Sequence, residues 1–350
     1  MIDFRPSSAQ QLLVSTAREY LRRHCPIEPD RRAGLDVIQL WRGMAELGWP
    51  GLLISSGVGG SDGTLVDVIL LVEELGYAAV PGPFVPSAVA ATSLLLAGGA
   101  RQQRRLTELA TGDRIATVAL VEERGSFDPA GLTLTAASGR LTGRKLFVGA
   151  ADLADDLVVV LRDGVVVLPS DRRGIARVPL QAIGGDPLFE VRFDDVEIGA
   201  DDRLAVTAGA VAAALEAGAL ARTAEMVGAA RRILEMSVEH AKTRVQGGRP
   251  IGGHQAIQHA CADLVRDVDT ARGLLYAAAC DASDVAAAKA YASEACLTVA
   301  RRAHQIFGAI SYCAEHPLHM IHKRILAASL DFGDTTLHLE RVARAIGLEA

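Results

Sequence analysis

His240-Ala-Lys-Thr-Arg244-Val-Gln-Gly-Gly248-Arg-Pro250-Ile-Gly-Gly253-His-Gln255-Ala-Ile-Gln-His-Ala-Cys-Ala-Asp-Leu264 is the stretch on which the fold turns. A helical pattern runs into Arg244. Five residues that disfavour helix, Gly247, Gly248, Pro250, Gly252 and Gly253, then break it. A second pattern starts near Gln255, with Ile257, Cys261, Leu264, Val268 and Leu275 at helical spacing. Two antiparallel helices with an arginine at their joint describe a bundle that presents a cation at one end. They equally describe a helix hairpin with a solvated arginine, and spacing alone leaves both open.

The pattern extends outward from this joint. Upstream, Val206–Thr243 carries Leu220, Val227 and Leu234 at seven-residue steps. Downstream follow Gln255–Asp281, Ser283–Ile306 with Ser283 as its cap, and Glu315–Ile346 with a break at Gly333. Four long helices make an up-and-down bundle over residues 204–350. Residues 114–203 change character. The runs Ile115–Val121, Leu132–Thr135, Leu141–Val148, Leu157–Leu161, Val165–Leu168 and Leu188–Val196 are β-branched or alternating, and turns such as Arg162-Asp163-Gly164 separate them. Residues 1–113 read as helices: from Ser7 or Ser8 to about Cys25 with Leu12, Leu13, Ala17 and Leu21 inward, then Leu35–Leu47, Leu65–Gly76, Ser87–Ala97 and Ala100–Ala110. The fold class is mostly α with a β insert: an N-terminal helical domain, a small antiparallel β domain and a C-terminal four-helix bundle.

Composition narrows the function. A net charge of −6 with no basic block argues against nucleic acid or an anionic membrane as partner. No apolar run is long enough for a membrane span, and no basic segment with an apolar run opens the chain, so a cytoplasmic protein is expected. The five cysteines lack metal-like or disulfide-like spacing. Three of them, Cys261, Cys280 and Cys296, sit in alanine-rich helical patterns that favour small buried thiols.

The wording of the joint resembles that of the acyl-CoA dehydrogenase family, Arg-x-x-Phe-Gly-x-x-(Ile)-x-x-x-Gln, with Gly247 standing where the family has Phe. Ala45-Glu-Leu-Gly-Trp49, Gly59-Gly60, Glu73-Glu-Leu-Gly76 and Leu109-Ala-Thr-Gly112 resemble phrases of the family's N-terminal domain, in the same order. The resemblance covers nearly the whole chain. It implies a β-barrel middle domain, FAD as cofactor, an acyl-CoA thioester as substrate, α,β-desaturation to a 2-enoyl-CoA, and an electron-transfer flavoprotein as acceptor. A carboxylate takes the α-proton in such a reaction, so donors must stabilise the developing enolate and desolvation must raise the carboxylate's proton affinity.

By the same resemblance, Arg244 meets the flavin pyrophosphate, where a guanidinium fork suits phosphate oxygens, and Gln255 follows it. Gln305-Ile-Phe-Gly308-Ala-Ile-Ser-Tyr312 is similar to the family's Gln-x-x-Gly-Gly-x-Gly-Tyr, which meets the adenosine half of the flavin across a dimer interface; Gln305 and Gly308 match. Ser126 stands for a substrate-side serine, and Phe147 for the aromatic residue over the flavin ring. The catalytic base departs from the family. Its position in the last helical region is Phe332, and its alternative position, 26 residues before Arg244, is Gly218. Neither is a carboxylate. Glu216 and Asp334 are the nearest substitutes, although residues two apart on a helix do not share a face. His319 and His322 with Glu315 could form a metal site by spacing, but the family's Glu-(Tyr/His)-Pro phrase accounts for Glu315-His316-Pro317 without one, so no metal is expected.

A chain that keeps Arg244 but lacks the base is similar to the short subunits of heterotetrameric acyl-CoA dehydrogenases of bacterial steroid side-chain degradation. That reading implies a homologous partner subunit that supplies the glutamate. Two alternatives stand beside it: a homo-oligomer with an unorthodox base, and a non-catalytic acyl-CoA-binding or assembly protein.

Overall fold

The structure is a computed structural model that describes residues 5–281 and 284–348. The chain opens with six helices: α1 (Ser8–His24), α2 (Pro29–Arg32), α3 (Val37–Glu46), α4 (Leu65–Tyr77), α5 (Thr92–Ala97) and α6 (Gln103–Ala110). Ser7 and Gln10 close a capping box at the start of α1, each side chain bonding the other's backbone N–H. Leu12 points outward instead of inward, while Ala17 and Leu21 are buried. The expected helix over Ser87–Ala97 begins earlier, as a wide-turned π-helical segment, Phe84–Ala91, that includes Pro86.

Seven strands follow: β1 (Ala116–Ala119), β2 (Arg140–Gly149), β3 (Asp156–Leu161), β4 (Gly164–Pro169), β5 (Ile175–Leu180), β6 (Leu188–Glu197) and β7 (Arg203–Leu204). They form two sheets, in the orders β1-β3-β4-β7 and β2-β6-β5. This differs from the expected antiparallel barrel: no closed barrel forms among the described residues, and β1 pairs with β3 in parallel. Leu132–Thr135 is not a strand. β5 is a strand that the sequence pattern does not reveal, because Arg177 and Pro179 interrupt its apolar run. The valine-rich β3 is buried along its length, as a strand covered on both faces must be.

Four long helical segments complete the chain: α7 (Ala208–Thr243), α8 (Gln255–Cys280), α9 (Val285–Phe307), and the pair α10 (Leu318–Leu330) and α11 (Thr335–Ala345) that flanks Gly333. A short hairpin, β8 (Val245–Gln246) and β9 (Arg249–Pro250), joins α7 to α8. The expected Ser283 cap lies outside the described residues. α7 is the spine. It is alanine-rich and buried through most of its middle, and α4 crosses it at backbone contact. A Cβ on Gly76 would lie 2.1 Å from the Glu225 carbonyl oxygen, and one on Gly228 only 1.8 Å from that of Glu73. Two glycines therefore set the distance between the N-terminal helices and the bundle.

Four salt bridges close that crossing. Glu73 is paired with Arg231 and Arg272, and Glu74 with Arg18 and Arg231. Both glutamates are almost fully buried, so removing one arginine would weaken the pairing of a buried charge.

Gly228→Ala is expected to destabilise the fold by about 2 kcal/mol or more, because the new methyl meets backbone that cannot yield. Gly273, on an exposed stretch of α8 with nothing within 4 Å of where a Cβ would lie, is the control. Gly273→Ala should stabilise by roughly 0.5–1 kcal/mol. Urea denaturation midpoints of the two variants check the opposite signs.

Candidate functional site

The turn between α10 and α11 brings together Phe332 and Gly218, the two positions at which the family resemblance leads one to expect a base. Phe332 sits there in the left-handed region, φ 57°, where a bulky residue costs about 1–3 kcal/mol. Its ring packs on Gly218 in the middle of α7: a Cβ at 218 would come within 2.5 Å of it. Positions 114 residues apart thus fill one spot, with a phenyl ring and no carboxylate. Phe127 lies beside the ring, centroids 5.9 Å apart. The space left there, bounded by Pro86, Leu215, Phe127 and Phe332, is about 30 Å³.

Four neighbours hold the turn. Asp331 accepts from the Phe332 N–H at 3.0 Å. His338 donates from Nε2 to the Phe332 carbonyl at 3.0 Å, while its Nδ1 is buried without a partner among the described residues. Asp334 caps α11 by accepting from the Leu337 N–H at 2.9 Å. The buried Lys289 ammonium donates to the carbonyls of Ala328 and Ser329, each at 2.9 Å, and burial pushes its pKa down to about 7.

Adjoining this small space, with Phe127, Phe147, Arg222 and Asp331 lining both, is a cavity of about 690 Å³, within the range of small-molecule sites. Phe147, Leu180, Ile183 and Leu330 give it apolar walls. Phe147 reaches it because β2 shifts register against β6 between Lys145 and Val148, with Phe147 at φ 55° inside the irregularity. Ser126 is at the rim, its Oγ accepting from the Asp128 N–H.

The floor is a chain of charges. Arg222 bonds Asp331 at 2.8 Å and Glu225 at 2.5 Å; Arg324 bonds Glu225 at 2.8 Å and Asp186 at 3.0 Å. Burial pushes the Glu225 carboxyl up, but the two guanidiniums outweigh it and hold it below the usual range. Sequence reasoning does not find this chain. Its one trace is Arg222 and Glu225, three apart in an otherwise apolar stretch of helix. Their partners lie on α10, just after it, and in the β5–β6 loop, distant in sequence and close only in space.

Arg244 stands at the far end of α7. From Arg222 to Arg244 the helix rises about 33 Å at its standard 1.5 Å per residue. Arg244 is exposed, and its guanidinium makes no hydrogen bond or ion pair among the described residues. Gln255 is exposed at the start of α8, and Gln305 and Gly308 are exposed at the end of α9. Stacking of His240 on Phe307, centroids 4.4 Å apart, places the α7 and α9 termini side by side. The structure thus gathers Arg244, Gln305 and Gly308 at one end of the bundle, and Ser126 and Phe147 at a cavity near its middle.

Behind Gly308 runs a directed chain of hydrogen bonds. Ser311 donates to the Gly308 carbonyl at 2.7 Å, so His304 must donate to Ser311 from Nδ1, and His322 must donate from Nδ1 to His304 Nε2 at 3.1 Å. Burial keeps both imidazoles below their ordinary pKa. His322 is therefore engaged with His304, and no group of three metal-type side chains converges among the described residues. Glu216 is half-buried and lines neither cavity, whereas Asp334 lines the larger one. Of the helical cysteines, Cys296 is buried but Cys280 is exposed at the end of α8, contrary to expectation. No helix among the described residues is long and apolar enough to cross a membrane.

Comparison with known proteins gives these features a setting. The family model of the acyl-CoA dehydrogenase N-terminal domain matches residues 7–113, and that of the acyl-CoA dehydrogenase C-terminal domain matches residues 208–347. The chain is 34% identical to the acyl-CoA dehydrogenase IpdE2 of Mycobacterium tuberculosis, over 91% of each. Among solved structures it resembles a chain of the ChsE4-ChsE5 complex from Mycobacterium tuberculosis, with TM-score 0.90 and 25% identity over 100% of this chain and of that one. It also resembles the Tcur3481-Tcur3483 steroid acyl-CoA dehydrogenase in its G363A variant, with TM-score 0.87 and 26% identity over 97% of each chain.

His338 gives the turn a pH dependence of known sign. Burial, and then the nearby Lys289 charge, lower its pKa from the ordinary 6.5 to about 4. The fold keeps the imidazole neutral. That contribution is complete above pH 6.5 and is lost as pH falls toward 4, a change on the order of 3 kcal/mol. His338→Gln, which retains a donor for the Phe332 carbonyl, should flatten the urea-measured stability profile across that window by about that amount. An unchanged slope would place the acid sensitivity elsewhere.

Proposed function

The chain belongs to the acyl-CoA dehydrogenase family of oxidoreductases, and from that premise we propose that it is the base-lacking subunit of an FAD-dependent acyl-CoA dehydrogenase assembled from two unlike chains. The observation that carries this reading is the Phe332 ring against Gly218. Both positions at which the family resemblance puts a base meet there, and the adjoining space of about 30 Å³ holds no acyl chain. Glu216 lines neither cavity, and Asp334 spends its carboxylate on the α11 cap, so neither supports a homo-oligomer with its own base.

The chain's contribution is instead the far end of the bundle. Arg244 is an exposed fork free of ion pairs among the described residues, which suits a pyrophosphate; Gln305 and the positive-φ Gly308 lie beside it for the adenosine half. Gln255 is a further candidate contact. These residues are about 33 Å along α7 from the chain's own cavity, so they serve a flavin seated on another subunit. The flavin, when bound, accepts the β-hydrogen of the acyl group, and a glutamate of the homologous partner takes the α-proton. Two similar structures, one a complex of two differently named chains and one a steroid enzyme, support an unlike partner and a bulky ring-bearing acyl group. An electron-transfer flavoprotein as acceptor and a cytoplasmic location complete the proposal, with domains at 1–113, 114–203 and 204–350.

Visible absorbance tests it. The chain purified alone should be colourless and inactive, and the chain co-purified with its homologous partner should carry about one flavin per pair. One flavin per chain in the lone protein, with dehydrogenase activity, would contradict it.

A further inference from the structure

The chain retains its own cavity of about 690 Å³, large enough to receive a ring system, and a shared flavin site leaves open why no second flavin enters it. Its charges supply a reason that does not depend on the blocked base position. Five carboxylates and two guanidiniums line the cavity. Both guanidiniums are already committed: Arg222 to Asp331 and Glu225, Arg324 to Glu225 and Asp186. Neither keeps two adjacent N–H nitrogens free to fork a phosphate; their one buried nitrogen without a partner among the described residues is Arg324 Nε. The remaining two carboxylates, Asp334 and Glu340, are exposed at the start and in the middle of α11 and line the same space, Glu340 with the Arg344 guanidinium 3.7 Å away and Asp334 without an ion pair among the described residues. Asp334 goes further. The N-terminus of α11 opens on the cavity, and the Asp334 carboxylate already accepts from the Leu337 N–H there. A negative group built into the chain takes the place that an anionic ligand would seek at a helix start.

We propose that Asp334, aided by Glu340, excludes the flavin pyrophosphate from this subunit's cavity, so that a pair of unlike chains carries one flavin and not two. This rests on the reading of the chain as the base-lacking subunit. Asp334 is a specificity-determining residue: it sets which of two similar cavities in the pair is loaded. A dinucleotide flavin brings about two negative charges to a cavity whose net charge, five carboxylates against two guanidiniums, is already negative.

The test uses the intact pair and free FAD as probe. Asp334→Asn removes the charge but keeps a side chain that caps helices as well as aspartate does, so α11 is retained. Glu340→Gln changes an exposed residue, and the double variant removes both charges. Flavin per pair is read from absorbance after saturation with FAD and gel filtration, with pair assembly followed on the same column. The proposal expects a rise from about one flavin per pair toward two in Asp334→Asn, and at least as large a rise in the double variant. A value that stays at one in both, with assembly intact, overturns charge exclusion and leaves the shared-site reading standing. Two flavins per pair in the unaltered protein overturns the shared-site reading itself.

Discussion

A phenyl ring lying on a turn of helix that has no side chain governs the middle of this protein. Gly218 lets Phe332 sit against α7, and Phe332 leaves no room for anything larger than glycine at 218. The arrangement costs backbone strain at Phe332, and the surrounding contacts supply the restraint: Asp331 on its N–H, His338 on its carbonyl, Lys289 on the last carbonyls of α10 and Asp334 on the first turn of α11. In the proposed reading this one contact closes the place where the family resemblance puts proton abstraction, and leaves only about 30 Å³ beside the ring.

α7 connects that closed middle to an open end. Its alanine-rich surface and the paired glycines Gly76 and Gly228 let α4 approach to backbone contact, and the Glu73 and Glu74 ion pairs fix the crossing. A rigid helix keeps Arg222 and Arg244 about 33 Å apart. The exposed cation and the paired ones therefore cannot act on the same small ligand within one chain. That separation, a cation unpaired among the described residues at one end and a cavity of paired charges in the middle, supports the proposal that the chain completes a neighbour's site.

Much of this is legible in the sequence. Helical periodicity broken by glycine and proline locates the four long segments of the C-terminal part, and β-branched runs locate most strands. Phe332 and Gly218 emerge by counting from motifs. Their contact does not, because nothing in a linear count shows that two positions 114 apart share one space. β5 escapes because Arg177 and Pro179 hide its pattern. The π-helical turn through Pro86 and the parallel β1–β3 pair are also out of reach, since both depend on how distant segments pack. The charge chain from Asp331 through Arg222, Glu225 and Arg324 to Asp186 is the largest omission. Its members come from three separate parts of the chain, and only the unexpected polarity of Arg222 and Glu225 within α7 hints at it.

The central claim is that this chain's Arg244 end holds a flavin seated on its partner. Reversing that one charge tests it most directly. Arg244→Glu, a change at an exposed residue with no ion pair among the described residues, should leave the pair assembled on gel filtration and strip most of its flavin absorbance. Retention of the full flavin complement by the assembled Arg244→Glu pair would contradict the account, because the cofactor would then be held without this chain's cation.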